Sequence, residues 1–160
     1  MKNIFLLSFL LFYAESNFAE NLHCIGEMVT RTSRKNIEAQ LLKSKYDEVI
    51  EFGTKELNGK NEYFLGSLIN NQIDRFNEKG GKEYSKATVF IDEKTIVGKY
   101  FFVGEYDNPR VNKRDKKINI SINRYTGKYK EESMEIYSGD NSSSYHDLIE
   151  ADCIKVERKF

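Results

Sequence analysis

From Lys117 to Arg124 the side chains alternate without a break, Ile118, Ile120 and Ile122 being separated by Asn119, Ser121 and Asn123. A helix would spread those isoleucines around its axis, whereas a strand sets all three on one face and the polar residues on the other. The segment therefore reads as a half-buried antiparallel strand. Tyr125-Thr126-Gly127 follows as a turn, with glycine at the positive-φ position, and Lys128-Tyr129-Lys130 resumes the alternation with the tyrosine ring inward.

A second hairpin pairs Ser85–Asp92, with Ala87, Val89 and Ile91 on one face, against Thr95–Tyr106. The return strand is apolar on both faces around Tyr100, Phe101, Phe102 and Val103, which calls for cover from another element. Further strands are expected at Cys24–Arg31, Asp47–Phe52, Ser133–Tyr137 and Ala151–Phe160, the last with Ile154, Val156 and Phe160 inward. Two intervals depart from period two. Leu65, Leu68, Ile69, Ile73 and Phe76 fall at helical spacings, with Ser67 as N-cap and Gly80-Gly81 as a stop, so the pattern predicts a helix over Leu68–Glu78. A second short helix is expected over Asn36–Lys45.

A chain of 160 residues with 13% aromatics, one proline and 10 glycines suits one compact β-rich domain rather than two. The expected fold is mainly β: an antiparallel meander forming a small barrel or strongly curled sheet, with one or two short helices. Closing the sheet removes its vulnerable edges.

The first residues read as an address. Met1-Lys2-Asn3 is a short positive start, Ile4 to Ala14 is almost unbroken apolar, and small residues follow at Ala14, Ser16 and Ala19. The apolar run would span roughly 16 Å as a helix, about half a bilayer core, so a cleaved signal at residues 1–19 fits better than an anchor. Cuts after Ser16 or after Ala19 both fit, and Ala19 is preferred. His23 is too bulky to precede a lipid-modified Cys24. The mature domain is then residues 20–160, expected in the periplasm or secreted, with no transmembrane anchor.

In an exported chain two cysteines are most simply one disulfide, here Cys24 to Cys153, tying the first mature segment to the last. A metal site is poorly supported, since His23, His146 and two distant cysteines lack zinc-ligand spacing. No metal and no cofactor are expected.

Leu22-His23-Cys24-Ile25-Gly26, Ile122-Asn123-Arg124-Tyr125-Thr126-Gly127 and Cys153 followed by Lys159-Phe160 together resemble a group of small secreted bacterial proteins. That group pairs a Cys-x-Gly opening with an Ile-Asn/Asp-Arg-x-Thr-Gly hairpin and a late cysteine, and has no established activity. The resemblance implies export, the disulfide and an all-β fold, and transfers no catalytic residue. The chain departs from the pattern in its long Lys43–Gly81 interval and in Ala151, which stands where a glycine is expected two residues before Cys153.

The residue types that carry chemistry fall mostly in stretches of ordinary surface composition. Gly139-Asp140-Asn141-Ser142-Ser143-Ser144-Tyr145-His146-Asp147 holds a nucleophile type, an imidazole and carboxylates, yet such clusters are the usual makeup of a solvated turn. There is no Gly-x-Ser-x-Gly elbow, Walker loop or dinucleotide fingerprint. Glu131 and Glu132, adjacent on a strand, point to opposite faces and do not form a carboxylate pair for glycoside chemistry. Arg110, Lys113, Arg114, Lys116 and Lys117 form a basic run that reads as a solvated turn beside an aggregation-prone strand, with an anionic glycan, lipid or acidic partner as the functional alternative. A formal net charge of zero and export argue against nucleic acid. Asn119 and Asn141 head Asn-x-Ser triplets, which matter only in a glycosylating secretory pathway. Arg124, Tyr145 and His146 are the candidate binding residues. For Arg124 a structural tie to an acid on a neighbouring strand is the stronger reading.

The expected function is an exported, non-enzymatic binding or envelope-associated module, monomeric, meeting an unidentified ligand or protein partner through a mouth or groove lined by Tyr and Phe. The alternative is a periplasmic inhibitor of a hydrolase such as a lysozyme, presenting the Gly139–Asp147 loop.

Overall fold

A computed structural model describes residues 19–76 and 81–156. The expected signal sequence lies outside the described residues, apart from Ala19. Ten strands follow one another: β1 (Ala19–Arg34), β2 (Ile37–Leu57), β3 (Lys60–Leu65), β4 (Leu68–Ile69), β5 (Asn71–Phe76), β6 (Lys82–Ile91), β7 (Thr95–Glu105), β8 (Lys113–Asn123), β9 (Lys128–Ser138) and β10 (Ser143–Val156). They form one antiparallel sheet in the order β4-β3-β2-β1-β10-β9-β8-β7-β6-β5.

The two outermost strands, β4 and β5, are separated in sequence only by Asn70. That single residue switches the chain from pairing with β3 to pairing with β6, so the sheet curls into a nearly closed up-and-down barrel. The Asn70 carboxamide oxygen accepts the Val89 amide across this seam. Gly98 on β7 lets the side chains of the closing turn pack close to the sheet, since a Cβ there would lie 2.9 Å from the Leu65 side chain and 3.1 Å from that of Leu68.

The first and last strands are neighbours, with Cys24 directly opposite Cys153. They form the expected disulfide, closing a separation of 129 residues at a Cα–Cα distance of 4.0 Å. The Cys153 amide donates to Gly127 on its other side, so the two cysteines are a non-hydrogen-bonded pair, the closest kind of opposed pair in an antiparallel sheet. The core is formed at this end of the barrel by Phe52, Leu65, Leu68, Val89, Ile96, Ile122 and Tyr129 together with the disulfide.

Neither expected helix exists among the described residues. Leu65 and Leu68 are opposed partners across the tight turn at Gly66-Ser67, so a chain reversal, not a helical turn, brings residues three apart to one side. Asn77 and Glu78 of that interval lie outside the described residues. Asn36 is at φ 61° in the β1–β2 turn, and residues 37–45 extend as strand because β1 supplies a hydrogen-bonding partner along this stretch.

The final strand has the opposite phase from that expected. Cys153 and Ala151 face the core, so alternation turns Ile154 outward, where it is 65% exposed. Residues 157–160, including Phe160, lie outside the described residues. The outer face of β7 is also uncovered: Phe101 packs edge-on against Tyr84, with ring centroids 6.0 Å apart, and borders a groove lined by Val103, Met134 and Ile136.

Candidate binding site at the turn end

The motif residues that suggested a family serve the fold. Asn123 accepts the amides of Tyr125 and Thr126 through its side chain, an Asx turn, and Gly127 sits at φ 68° where a Cβ would lie 2.2 Å from the Cys153 carbonyl oxygen. Arg124 donates from Nη1 to the Asp92 carbonyl at 2.6 Å and lies over the Phe52 ring at 5.9 Å. Its Nη2 is 3.9 Å from Glu20 Oε1, and Lys155 approaches the other oxygen of Glu20 at 3.1 Å. The Asp92 carboxylate accepts the amides of Thr95 and Lys94, which hold it below the usual carboxylate range. Arg124 thus clamps two neighbouring turns at the core end.

Tyr145 and His146 are far from Arg124 along the barrel and point to opposite faces of β10. His146 faces outward and hydrogen-bonds Glu132 at 3.0 Å. Only residues 139–142 of the expected loop form a turn, because residues 143–147 are paired on both sides, with β1 and with β9. Ser144 is two residues before His146 on the same outward face, and no hydrogen bond joins the ring to a serine hydroxyl among the described residues. Glu131 and Glu132 do face opposite sides, Glu131 inward under the Tyr129 hydroxyl and Glu132 outward against His146.

Along β1, β6, β7, β8 and β10 the inner face changes from apolar at the core end to polar or aromatic at the other. One cross-strand row runs Thr32, Tyr145, Glu135, Lys116, Phe102, and the next runs Arg34, Ser143, Tyr137, Arg114, Gly104. Arg114 places Nη2 2.5 Å and Nε 2.6 Å from Glu135 Oε1 and stands over the rings of Phe102 and Tyr137. Tyr137 donates to the same carboxylate at 2.7 Å. Burial opposes the Glu135 charge, but Tyr137 and Arg114 outweigh it and hold the carboxyl below its ordinary range. Much of the basic run is therefore internally engaged, with Lys113 on Asp115 at 3.0 Å and Lys117 over Phe101.

Beyond this network the β1–β2 and β9–β10 turns lie side by side, joined by the Lys35 amide donating to Ser142 at 3.0 Å. Between them is a groove of 490 Å³ whose lining includes Arg34, Lys35, Asp140, Asn141, Ser143 and Tyr145. Tyr145 meets Tyr137 edge-to-face, centroids 6.2 Å apart at 86°. Among the described residues neither Arg34 nor Lys35 has an ion-pair partner. A larger groove of 780 Å³ crosses the outer faces of β1 and β8 to β10, but its lysines are paired locally, Lys128 on Asp152 at 2.6 Å and Lys130 near Glu150 at 3.8 Å.

Tyr145 was legible in the sequence as a candidate. Arg34, Lys35 and Tyr137 were not, because only the strand register reveals that two turns distant in sequence meet. Among the described residues no group of three or more His, Cys, Asp and Glu is placed to hold a metal, and no helix is long and apolar enough to cross a membrane. No protein-family model, curated protein or solved structure matches the chain.

Proposed function

We propose that the protein is a small exported binding module of the bacterial envelope, non-enzymatic, that takes an acidic, hydroxyl-rich ligand such as an anionic glycan in the groove between its two turns. The observation that supports this most is the combination in one groove of two cations without ion-pair partners among the described residues, several hydroxyl and amide groups, and an aromatic ring already oriented by a neighbour. Cations and hydroxyls suit a carboxylated or sulfated sugar, and Tyr145 offers an apolar face with a polar tip. The Arg114–Glu135–Tyr137 network beneath braces Tyr145, whose ring lines the groove, through its edge-to-face contact with Tyr137.

The test is calorimetric titration of the disulfide-bonded protein with matched acidic and neutral oligosaccharides. Binding of an acidic member should weaken about tenfold or more in Tyr145→Ala and in the Arg34→Gln/Lys35→Gln pair, with melting temperature unchanged. An absence of binding across the panel, or equal binding by the variants, overturns the reading.

A second reading, inhibition of a hydrolase such as a lysozyme, is supported by the stiffness of the turn at residues 139–142. The amides of Asp140 and Asn141 donate to the carbonyls of Pro109 and Arg110, and a Cβ at Gly139 would lie 2.6 Å from the Arg110 oxygen. A turn held in this way presents a fixed shape at low entropic cost. Replacing residues 140–142 with Gly/Ser should then abolish capture of the enzyme while leaving the melt unchanged.

A further inference from the structure

Over most of its length β2 has a strand beside it on one side only among the described residues. It pairs with β1 from Ile37 to Gly53, but β3 joins its other side no earlier than Phe52. Because Cys24 and Cys153 are a non-hydrogen-bonded pair, the hydrogen-bonding groups of Cys24 point to Glu48, and the even-numbered residues of this part of β2 bond β1. The odd-numbered residues Leu41, Lys43, Lys45, Asp47 and Val49 therefore direct their amides and carbonyls away from β1. Glu51 follows the same phase, since its carbonyl accepts Gly66 on that far side. From Leu41 to Val49 this edge has no strand beside it among the described residues. Leu41, Leu42 and Val49 are 65%, 64% and 60% exposed along it. A long unpaired edge with apolar side chains is a template for another strand.

We propose that the occupant of this edge is the same edge of a second copy, joined antiparallel about a two-fold axis through Tyr46. Opposed residues in such a pair lie on the same face, and the side chains decide the register. Centred on Tyr46 and confined to residues 42–50, since β3 holds the edge from Phe52, the pairing sets Lys45 opposite the second copy's Asp47 on the outer face and Leu42 opposite its Ile50 on the inner face, with Lys43 against Val49 and Ser44 against Glu48. No like charges meet. Centring one residue earlier opposes Lys45 to Lys45, and one residue later opposes Asp47 to Asp47. The charges of the edge thus select one register for self-association. Lys45 and Asp47 already lie 2.6 Å apart within one chain, so the two copies would build a four-charge alternating cluster. His23, on β1 beside Asp47 at 2.7 Å, adds a donor to the same carboxylate. The paired residues 42–50 are not among those lining the turn-end groove, so the proposal does not depend on what that groove binds.

Light scattering coupled to gel filtration, run on the disulfide-bonded protein over a concentration series, reads the result. A concentration-dependent dimer is expected. Lys45→Pro removes an outward amide together with the exposed Lys45 charge, both of which an edge position tolerates, and should give a folded monomer with its melting transition retained. Asp47→Lys places Lys45 against lysine and should weaken dimerisation about tenfold or more. Adding Lys45→Asp to that variant should restore it. If Lys45→Pro proves unfolded, the charge swap still decides. A wild-type monomer at all concentrations, a dimer indifferent to both substitutions, or an edge occupied by a strand of a different protein overturns the proposal.

Discussion

Tyr46 and Tyr129 stack with ring centroids 5.7 Å apart and planes 10° apart, although β1 and β10 separate the strands that carry them. The residues between them in the same cross-strand row are Gly26 and Ala151. Two small residues leave room for two rings to lean inward and meet above them, next to the disulfide. Burial, followed by the neighbouring Glu131 that accepts its hydroxyl, pushes the Tyr129 phenol far above its usual range, so it stays a neutral donor.

Gly26→Ala tests this arrangement. Its Cβ would meet the Glu150 carbonyl oxygen at 2.0 Å and Ala151 Cβ at 2.7 Å, and backbone cannot step aside cheaply. A loss of about 1–3 kcal/mol is expected from chemical denaturation, against little change for the exposed neighbour Glu27→Ala. Equal effects would show that the small residue is not needed.

Arg124→Met should destabilise the domain by about 1–3 kcal/mol, since it removes a charged donor from the Asp92 carbonyl. Hydrogen exchange should accelerate in both turns, at Lys94 and Thr95 as well as at Tyr125 and Thr126. A melt and an exchange pattern identical to wild type would return Arg124 to the candidate ligand-binding residues.

Ile120→Asp should unfold the domain, because this side chain packs against the core, whereas Ser121→Asp on the exposed face should be mild. Circular dichroism melts separate the two, and similar melts would mean that the strand phase is wrong.

Glu135 makes stability depend on pH in a definite direction. Its carboxyl is held below the ordinary value, so its contribution is complete above the unfolded range near about 4.3 and is lost as pH falls through the depressed folded value. Denaturation midpoints should therefore drop on acidification, and Glu135→Gln should flatten the low-pH part of that curve. A curve of unchanged slope would place the acid sensitivity elsewhere.

Much of the barrel was legible because period-two alternation survives wherever one face is buried. Ile118, Ile120, Ile122 and Tyr129 mark strands, phase and a hairpin by spacing alone, and the cysteine pair closes the meander. Legibility fails where a turn imitates a helix. Leu65 and Leu68 stand three apart for the sake of a reversal at Gly66, and no local pattern distinguishes that from one helical turn. The phase of β10 is misread when Ile154 is weighed above Cys153, although a bridged cysteine fixes the inward face more firmly than an exposed isoleucine does. The groove is the least legible feature: Arg34, Lys35 and Tyr145 come from two hairpins that become neighbours only when β1 pairs with β10.

That pairing, covalently fixed between Cys24 and Cys153, is what brings the two turns together and seats the tyrosine stack. On the chain-entropy estimate a closed loop of this size stabilises the fold by about 5 kcal/mol. Intact-mass measurement of the folded, purified protein after alkylation without reductant tests it most directly. The account predicts a mass with no alkyl adduct, both cysteines being engaged with each other; recovery of the folded chain carrying two adducts would contradict it.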